Sequence, residues 1–300
     1  MVFFLYSLMC LIFGTTFLFI KLGLEVGWSP FLFSSLRFVI AGVIVVIFVW
    51  IVKKLEVYPI AFHFKIFKLA FLMTTIPFAA LYWGEQYISS GEAAILVATS
   101  PVFILLINHL MKTERITQVK AIGALISMLG IILTVFNEID FSSNIESFYA
   151  KCFLLIAEIA FAYGSVKSKK VLSNVKNPFL FNGFQMLYGG SLLFLLSFLF
   201  QENYSLPVKS YGWSILAYFI FFASILSYGI FYWLIKNTSA FFSSTWTYIS
   251  PVIAMMLGFI IFGEVITWLG LMGSILILLG VLLSNIQYFK IRRIVVEEKY

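Results

Sequence analysis

Charged residues are scarce in this sequence: of its 300 residues only 11% are Asp, Glu, Lys or Arg, whereas 62% are apolar. So little polar surface excludes an ordinary water-soluble protein, and the mean hydropathy of +1.04 agrees. The apolar residues form long runs with the charges between them, which is typical of a polytopic membrane protein. The net charge of +7 is spread over short clusters without a contiguous basic patch, so we expect no nucleic-acid partner.

Cysteine and catalytic motifs are also scarce or absent. Cys10 and Cys152 lie in or beside apolar runs and have no metal-ligand spacing, so we expect no metal and no other cofactor. The sequence contains no P-loop, no HExxH and no GxSxG. This excludes a nucleotide-driven pump, and no nucleophile or metal cluster suggests a membrane enzyme. We therefore predict that the protein is not an enzyme.

What the sequence does contain is ten apolar runs with short connections. A membrane-spanning helix needs about 20 mostly apolar residues. The runs are continuously apolar, without the alternation of strands, which favours helices over a barrel. We predict an all-α protein with ten transmembrane helices and no soluble domain. The predicted runs cover residues 2–24, 31–52, 65–84, 92–112, 117–136, 150–170, 179–200, 212–235, 241–262 and 267–289.

The distribution of lysine and arginine predicts the orientation in the membrane. Sixteen of the 20 basic residues fall in the even-numbered connections or in the C-terminal tail, whereas the odd-numbered connections carry mainly acidic residues. Cytoplasmic loops have an excess of Lys and Arg. We therefore place both termini in the cytoplasm and the protein in the cytoplasmic membrane.

The sequence repeats itself at an offset of about 150 positions. A shift of 150 places the Tyr-Trp pair at 82–83 on a second such pair at 232–233, and Pro101 on Pro251. A shift of 148 places the PFLF segment beginning at Pro30 on an identical segment. Each copy holds five predicted spans, and since five is odd, the second copy is inverted in the membrane. The predicted repeats are 1–148 and 149–300, the second ending in a short basic cytoplasmic tail.

Several segments resemble EamA-type permeases of the drug/metabolite transporter superfamily. The resemblance lies in LIFGTTFLFIKLGL, SLRFVIAG, SSGEAAILVATSPVF and YISPVIAMMLGFIIFGEVITWLGLMGSILILLGVLL, and it extends over nearly the whole chain. It implies ten helices, cytoplasmic termini and a central cavity lined mainly by the first four helices of each repeat. It also implies transport of small metabolites, often export of amino acids or related compounds.

Charges inside the predicted helices are the first candidates for binding or coupling. Arg37 lies about 9 Å into the second run and Glu158 about 12 Å into the sixth. Charges at such depth are usually paired or line a wet cavity. One interpretation puts a substrate carboxylate on Arg37 and an amine or a proton on Glu158, and the other is a static ion pair between them. Lys21 is either a charge at the cavity mouth or an interfacial lysine with a snorkelling side chain.

Polar residues and prolines inside the runs form a second group of candidates. Gln185 occupies the repeat position of Arg37, an asymmetry that a site for an asymmetric solute needs, and Asn182 adds polarity to the same helix. Pro101 and Pro251, near the middle of their predicted helices, mark either gating bends or packing kinks. Aromatic residues with a polar tip complete the set: Tyr82, Tyr163, Trp246 and Tyr248.

These features predict a secondary transporter that moves a small polar or zwitterionic metabolite, such as an amino acid, by alternating access. Transport is either proton-coupled or facilitative, and the expected partners are the small-molecule substrate and the lipid bilayer. A drug or nucleotide-sugar carrier is one alternative, and a membrane-embedded enzyme or scaffold is another. The spacings Gly123-x-x-x-Ser127 and Gly270-x-x-x-Ser274 indicate close helix packing, either in a homodimer or within the chain.

Overall fold

The computed structural model of the chain describes residues 1–53, 58–114, 116–134, 145–204, 207, 209–262 and 268–286, and within these ranges it is helical, without a β-strand. Two π-helical segments, Phe71–Thr75 and Phe219–Ser227, continue α4 into α5 and α11 into α12. The predicted basic tail lies outside the described residues. The helices are α1 (Val2–Gly14), α2 (Thr16–Glu25), α3 (Pro30–Lys53), α4 (Ile60–Ala70), α5 (Ile76–Gly84), α6 (Ser90–Val97), α7 (Ser100–Leu110), α8 (Gln118–Thr134), α9 (Ile145–Leu172), α10 (Pro178–Leu199), α11 (Ser210–Tyr218), α12 (Tyr228–Asn237), α13 (Ala240–Ser244), α14 (Trp246–Phe262) and α15 (Trp268–Ser284).

The helices confirm a polytopic membrane protein. Two shorter apolar helices, Gln118–Leu133 and Trp268–Ser284, accompany the long ones. Many large apolar side chains are exposed, Phe48 by 62% and Phe198 by 66%, which a bilayer rather than water accommodates. Six stretches among the described residues are long and apolar enough to span a membrane: Val2–Glu25, Pro30–Val52, Ile60–Gly84, Ser90–Leu110, Pro178–Leu199 and Ser210–Asn237.

The buried apolar side chains form two clusters. The larger cluster is centred on α1, α3, α5, α10 and α12, and the smaller one joins α7, α8, α14 and α15. Charged side chains secure some helix ends to neighbouring helices. The Glu202 carboxylate, beyond the end of α10, accepts hydrogen bonds from the N–H groups of Phe31 and Leu32 at 2.8 Å each. It thereby caps the positive N-terminus of α3.

Some spans are interrupted where the sequence predicted continuous helices. Thr15 separates α1 from α2, and its hydroxyl donates to the carbonyl of Ile12 at 2.7 Å. The span Ser90–Leu110 is divided between α6 and α7, so Pro101 lies in the first turn of α7. A proline is tolerated there because the N–H groups in the first turn of a helix have no acceptor within that helix. Pro251, in contrast, lies inside α14 as predicted.

Helices α8 and α15 pack closely through glycine residues. A Cβ atom on Gly123 would lie 2.5 Å from the backbone nitrogen of Ser284, and one on Gly130 would lie 2.6 Å from the carbonyl oxygen of Gly273. The start of α8 thus contacts the end of α15, and the later part of α8 contacts the earlier part of α15. The two helices are therefore antiparallel. Ser127 completes the contact by donating to the carbonyl of Ile277 at 3.3 Å. The Gly123–Ser127 face is thus used within the chain.

Helices α3 and α10 form a second antiparallel pair. A Cβ atom on Gly42 would lie 2.9 Å from the carbonyl oxygen of Gly183, and one on Gly190 would lie 2.8 Å from the backbone nitrogen of Val39. The shift of 148 positions that aligns the sequence repeats relates Gly42 to Gly190. Each glycine therefore lets its own helix approach the repeat-related helix, an arrangement that needs a small side chain at both positions.

Replacement of Gly123 by alanine should destabilise the protein, since the new methyl group meets the backbone of α15 rather than a movable side chain. We expect a loss of about 1–3 kcal/mol, the usual cost of overpacking. The matched control is Gly84→Ala, whose methyl group would meet the flexible Leu154 side chain at 3.3 Å. Thermal unfolding in detergent should show a lower midpoint for Gly123→Ala alone. Equal midpoints for the two variants would contradict this packing.

Candidate functional site

A cavity between the helices brings together residues that are far apart in sequence. We call it the central cavity; it has a volume of about 40 Å³ and accommodates a few water molecules. Most of its wall is apolar or aromatic, so its few polar groups decide what binds there. The lining residues are Phe13, Thr16, Phe17, Ile20, Arg37, Pro77, Phe78, Leu81, Val97, Ser100, Glu158, Phe161, Tyr228, Trp246 and Thr247.

Arg37 reaches the central cavity from α3 and is 1% exposed. Its Nε donates to the Ser224 hydroxyl and its Nη1 to the Tyr82 hydroxyl, each at 2.9 Å. Ser224 belongs to the second π-helical segment, and its backbone carbonyl accepts a hydrogen bond from Asn182 Nδ2 at 3.1 Å. The predicted residues Arg37, Tyr82 and Asn182 therefore belong to one hydrogen-bonded group around Ser224.

Aromatic rings provide the other contacts of the Arg37 charge. Its guanidinium carbon lies 4.5 Å from the ring centroid of Phe38, 4.5 Å from that of Phe219 and 5.0 Å from that of Phe78. The electron-rich faces of these rings stabilise a cation without neutralising it. Within the described residues no carboxylate lies within 4.0 Å of Arg37, so its positive charge is available to a ligand.

Glu158 projects from α9 into the same cavity and is 4% exposed. Its Oε2 is hydrogen-bonded to the Ser100 hydroxyl, at the start of α7. The Ser100 hydroxyl also donates to the carbonyl of Val97 at 2.7 Å. Pro101 has no N–H to donate to that carbonyl, four residues before it. The proline therefore explains why Ser100 is needed at the junction of α6 and α7.

The two buried charges share a cavity without forming an ion pair. Arg37 is bonded to Ser224 and Tyr82, whereas Glu158 is bonded to Ser100, and no pair between Arg37 and Glu158 lies within the 4.0 Å limit. The interpretation of a static ion pair that holds the repeats together does not hold in this structure. The cavity thus presents a guanidinium and a carboxyl group that are held by different partners.

A matching hydrogen bond occurs at the repeat-related positions. Tyr232 donates to Gln185 Oε1, whereas in the first repeat Arg37 donates to Tyr82. The sequence shifts of 148 and 150 positions relate Arg37 to Gln185 and Tyr82 to Tyr232. Gln185 Nε2 is buried and has no hydrogen-bond partner among the described residues. The two hydrogen bonds thus join residues at repeat-related positions, but only the one in the first repeat involves a charged side chain.

Lys21 lies outside the central cavity and interacts with the end of α5. Its Nζ donates to the backbone carbonyl of Glu85 at 2.7 Å, and the repeat-related Lys169 donates to that of Thr238, beyond α12, at 2.6 Å. Both lysines satisfy a carbonyl at a helix C-terminus, where a cation is favourable. The Glu85 side chain is buried, and burial raises the pKa of its carboxyl well above the usual value, partly opposed by the Lys21 charge.

The remaining predicted residues occupy three different environments. Trp246 lines the central cavity, and its indole N–H has no hydrogen-bond partner within the described part of the chain, so it is a potential donor to a ligand. Tyr248 is fully buried in the smaller apolar cluster. Tyr163 is 41% exposed and lines a separate cleft between α4 and α9. Pro251 removes the usual backbone donor to the carbonyl of Thr247, which lines the cavity.

Sequence reasoning missed Ser224 and Tyr228, although Tyr228 lines the cavity and Ser224 holds Arg37. The signal was present, since Ser224, Tyr228 and Tyr232 are spaced by four and share a helix face. The sequence gives no recognised signal for the π-helical segment that begins at Phe219. A counterpart of this segment begins 148 positions earlier, at Phe71.

The sequence matches a family model and several named relatives. The model of the EamA-like transporter family matches twice, over residues 1–136 and 149–286. The uncharacterized inner membrane transporter YedA of Escherichia coli (strain K12) is 27% identical over 268 residues, which is 87% of this chain and 84% of that protein. The uncharacterized transporter YoaV of Bacillus subtilis (strain 168) is 25% identical over 285 residues, 93% of this chain and 94% of that protein.

The fold is also similar to that of a solved protein. A known crystal structure superposes with a TM-score of 0.76, covering 97% of this chain and 98% of that chain. The sequence identity of the two is 18%, so the similarity establishes the fold alone.

An uncharacterized transporter of Buchnera aphidicola subsp. Schizaphis graminum (strain Sg) is 29% identical over 294 residues, 95% of each chain.

Replacement of Ser100 by alanine should destabilise the protein by about 1–3 kcal/mol, because it leaves the Val97 carbonyl and Glu158 without their buried partner. The matched control is Ser250→Ala beside Pro251. The Ser250 hydroxyl donates to the backbone carbonyl of Trp246 at 3.3 Å. That carbonyl lies four residues earlier in the same helix and keeps its backbone donor. Thermal unfolding should therefore respond to Ser100→Ala much more than to Ser250→Ala. Equal responses would exclude a special role for Ser100.

Proposed function

The chain belongs to the EamA-like transporter family, and from this membership we propose that it moves a small zwitterionic metabolite, such as an amino acid, across the cytoplasmic membrane. One observation carries the proposal: the Arg37 guanidinium and the Glu158 carboxyl line one cavity without pairing with each other. A zwitterion has a group of the opposite sign for each. Such a substrate compensates both buried charges at once, which a neutral or singly charged solute does not.

The substrate carboxylate is assigned to Arg37. The guanidinium has five N–H groups, and two of them donate to Ser224 and Tyr82. The others suit a carboxylate, which guanidinium binds through two parallel hydrogen bonds. The ammonium group is assigned to Glu158, and the Trp246 indole N–H offers a further donor to the carboxylate. The aromatic wall favours an apolar or aromatic side chain.

The transport mechanism we propose is alternating access between two inverted repeats, 1–148 and 149–300, with ten spans in all. The antiparallel contacts of α3 with α10 and of α8 with α15 support this architecture, as does the double match of the family model. A cavity of about 40 Å³ is too small for an amino acid, so this mechanism requires the cavity to widen before a substrate binds. Rocking of the repeats would widen it towards one side at a time. The basic connections favour cytoplasmic termini.

A proton is the coupling ion we propose. The Ser100 hydroxyl has a single hydrogen, yet it contacts both the Val97 carbonyl and the Glu158 carboxyl. When Glu158 carries a proton and donates it to Ser100, both contacts can be separate hydrogen bonds. The substrate-free state in this proposal therefore holds a protonated Glu158. An arriving ammonium group takes the carboxylate and displaces the proton, so that substrate and proton are exchanged.

The same hydrogen bonds connect binding to the junction of α6 and α7. When Glu158 is deprotonated, the Ser100 hydrogen turns towards the carboxylate, and the Val97 carbonyl loses its donor beside Pro101. An unsatisfied carbonyl inside the membrane is costly. Rearrangement of the junction relieves that cost. In this proposal Pro101 contributes to gating, which is one of the two roles that the sequence predicted for it.

Replacement of Arg37 by glutamine should impair recognition of the carboxylate. Phenylalanine is the test substrate, measured as uptake into proteoliposomes, with phenethylamine as the competitor that lacks the carboxylate. Loss of a charged hydrogen-bonding partner is worth about 1.5–3 kcal/mol, so the KM should rise roughly 10- to 100-fold.

The variant should also bind phenylalanine and phenethylamine equally, whereas the wild type prefers phenylalanine. The control is Lys209→Gln, which removes an exposed positive charge outside the cavity. An unchanged KM and an unchanged preference in Arg37→Gln would remove Arg37 from the binding site.

Replacement of Glu158 by glutamine should abolish proton-driven uptake while leaving the protein folded, since glutamine can still donate to Ser100. In the wild type, the affinity for phenylalanine should fall as the pH falls, because protons compete for the carboxylate. In Glu158→Gln that pH dependence should disappear. Arg37 and Tyr228 are the other titratable groups on the described cavity wall, and both are present in the variant.

The matched control is Glu146→Gln, which changes an exposed glutamate in the first turn of the same helix and should transport normally. Normal, pH-dependent uptake in Glu158→Gln would refute the assignment of Glu158.

A further inference from the structure

A second cleft lies between α4 and α9, away from the central cavity. We call it the basic cleft; its volume is about 430 Å³. Lys65 and Lys68 enter it from α4, and Lys167 and Lys170 enter it from α9. Residues three apart lie on the same face of a helix. Each helix therefore turns a pair of lysines towards the other.

The four lysines have no compensating acid in the described structure. No acidic residue lines the basic cleft, and the two ion pairs found among the described residues, Lys120–Glu114 and Lys151–Glu92, lie elsewhere. Aromatic rings contact two of the lysines: the Lys68 ammonium is 4.5 Å from the Phe64 ring, and the Lys167 ammonium is 5.5 Å from the Tyr163 ring. These contacts leave the positive charge in place.

Four ammonium groups that converge on one cleft repel one another. Such a cleft attracts an anion and gains stability when one binds.

Apart from Tyr163 and Asn174, the rest of the basic cleft is apolar. Phe62, Leu69, Leu72 and Val171 also line it. Leu72 follows Lys65 by seven residues, about 10 Å along the helix. The cleft therefore has cationic groups near the start of the span Ile60–Gly84 and apolar walls deeper in that span.

We propose that the basic cleft binds an anionic phospholipid, with its phosphate among the four lysines and an acyl chain along Leu69 and Leu72. The charge complements the phosphate, and the apolar wall complements the chain. A soluble anion would satisfy the lysines alone and leave the apolar wall uncovered. Basic pockets between transmembrane helices commonly hold anionic headgroups.

The bound lipid would also hold α4 and α9 together. The π-helical segment that continues α4 meets α9 just beyond the cleft, where a Cβ atom on Gly164 would lie 2.4 Å from Met73 Cγ. A phosphate shared by lysines of both helices removes the repulsion between them. Tyr163, a predicted substrate residue, is thereby assigned to the lipid, since its ring lies beside Lys167 in the cleft. The inference does not depend on the transported substrate.

The test is native mass spectrometry of the purified full-length chain with palmitoyl-oleoyl phosphatidylglycerol or the matching phosphatidylcholine. The wild type should retain phosphatidylglycerol selectively, and salt should weaken the retention. The variant Lys68→Gln/Lys170→Gln should bind it roughly 30-fold more weakly, as expected for two lysines near a headgroup. Lys68→Arg/Lys170→Arg should bind like the wild type.

The matched control is Lys112→Gln/Lys209→Gln, which removes the same charge outside the cleft and should retain the lipid. Equal weakening in the cleft and control variants would overturn the proposal, as would equal retention of phosphatidylcholine. Displacement of phosphatidylglycerol by millimolar inorganic phosphate would also overturn it, because it would assign the cleft to a soluble anion. If the glutamine variant does not fold, the salt dependence and lipid selectivity of the wild type still decide the question.

Discussion

The cost of a charge in an apolar bundle is the constraint on which this site depends. Arg37 is buried among phenylalanine rings and held by the hydroxyl groups of Ser224 and Tyr82, and Glu158 is held by Ser100. Each charge is thus stabilised by polar or aromatic neighbours but not neutralised by the other. A bundle that needed only stability would pair the two or replace both by apolar residues. The separation therefore supports the proposal that this cavity binds a substrate.

Symmetry positions the site, and departures from symmetry give it a polarity. Glycine contacts between repeat-related helices recur in both pairs, and lysines contact the last turn of α5 and of α12 in the same way. The cavity itself breaks this pattern, with Arg37 where the other half has Gln185. A symmetric frame can exchange two equivalent conformations, while an asymmetric lining binds a molecule with two different ends.

Irregular backbone occurs at three places close to residues of the cavity. Pro101 follows the junction of α6 and α7, and the second π-helical segment carries Ser224. Thr15 separates α1 from α2, and both of these helices contribute residues to the cavity wall. Inside a membrane a backbone group without its helical partner must find another one. Ser100 supplies the partner for Val97, and Asn182 donates to Ser224. A hydrogen bond from a side chain can be replaced by another during a conformational change, whereas the backbone hydrogen bonds of a regular helix cannot.

The sequence by itself determined the all-helical membrane class, the family and the position of Arg37 and Glu158 within apolar runs, because apolar run length and isolated charges are local properties. It also indicated the relation of Gln185 to Arg37, since a repeat is visible in the letters. Only the tertiary structure decided that the two charges do not pair, that Lys21 contacts a helix end and that Tyr163 lies in a separate cleft. Those outcomes depend on which helix faces which, and on whether Pro101 begins a helix or bends one. Helix rotation and helix junctions are set by packing among many spans, and no single stretch of sequence encodes them.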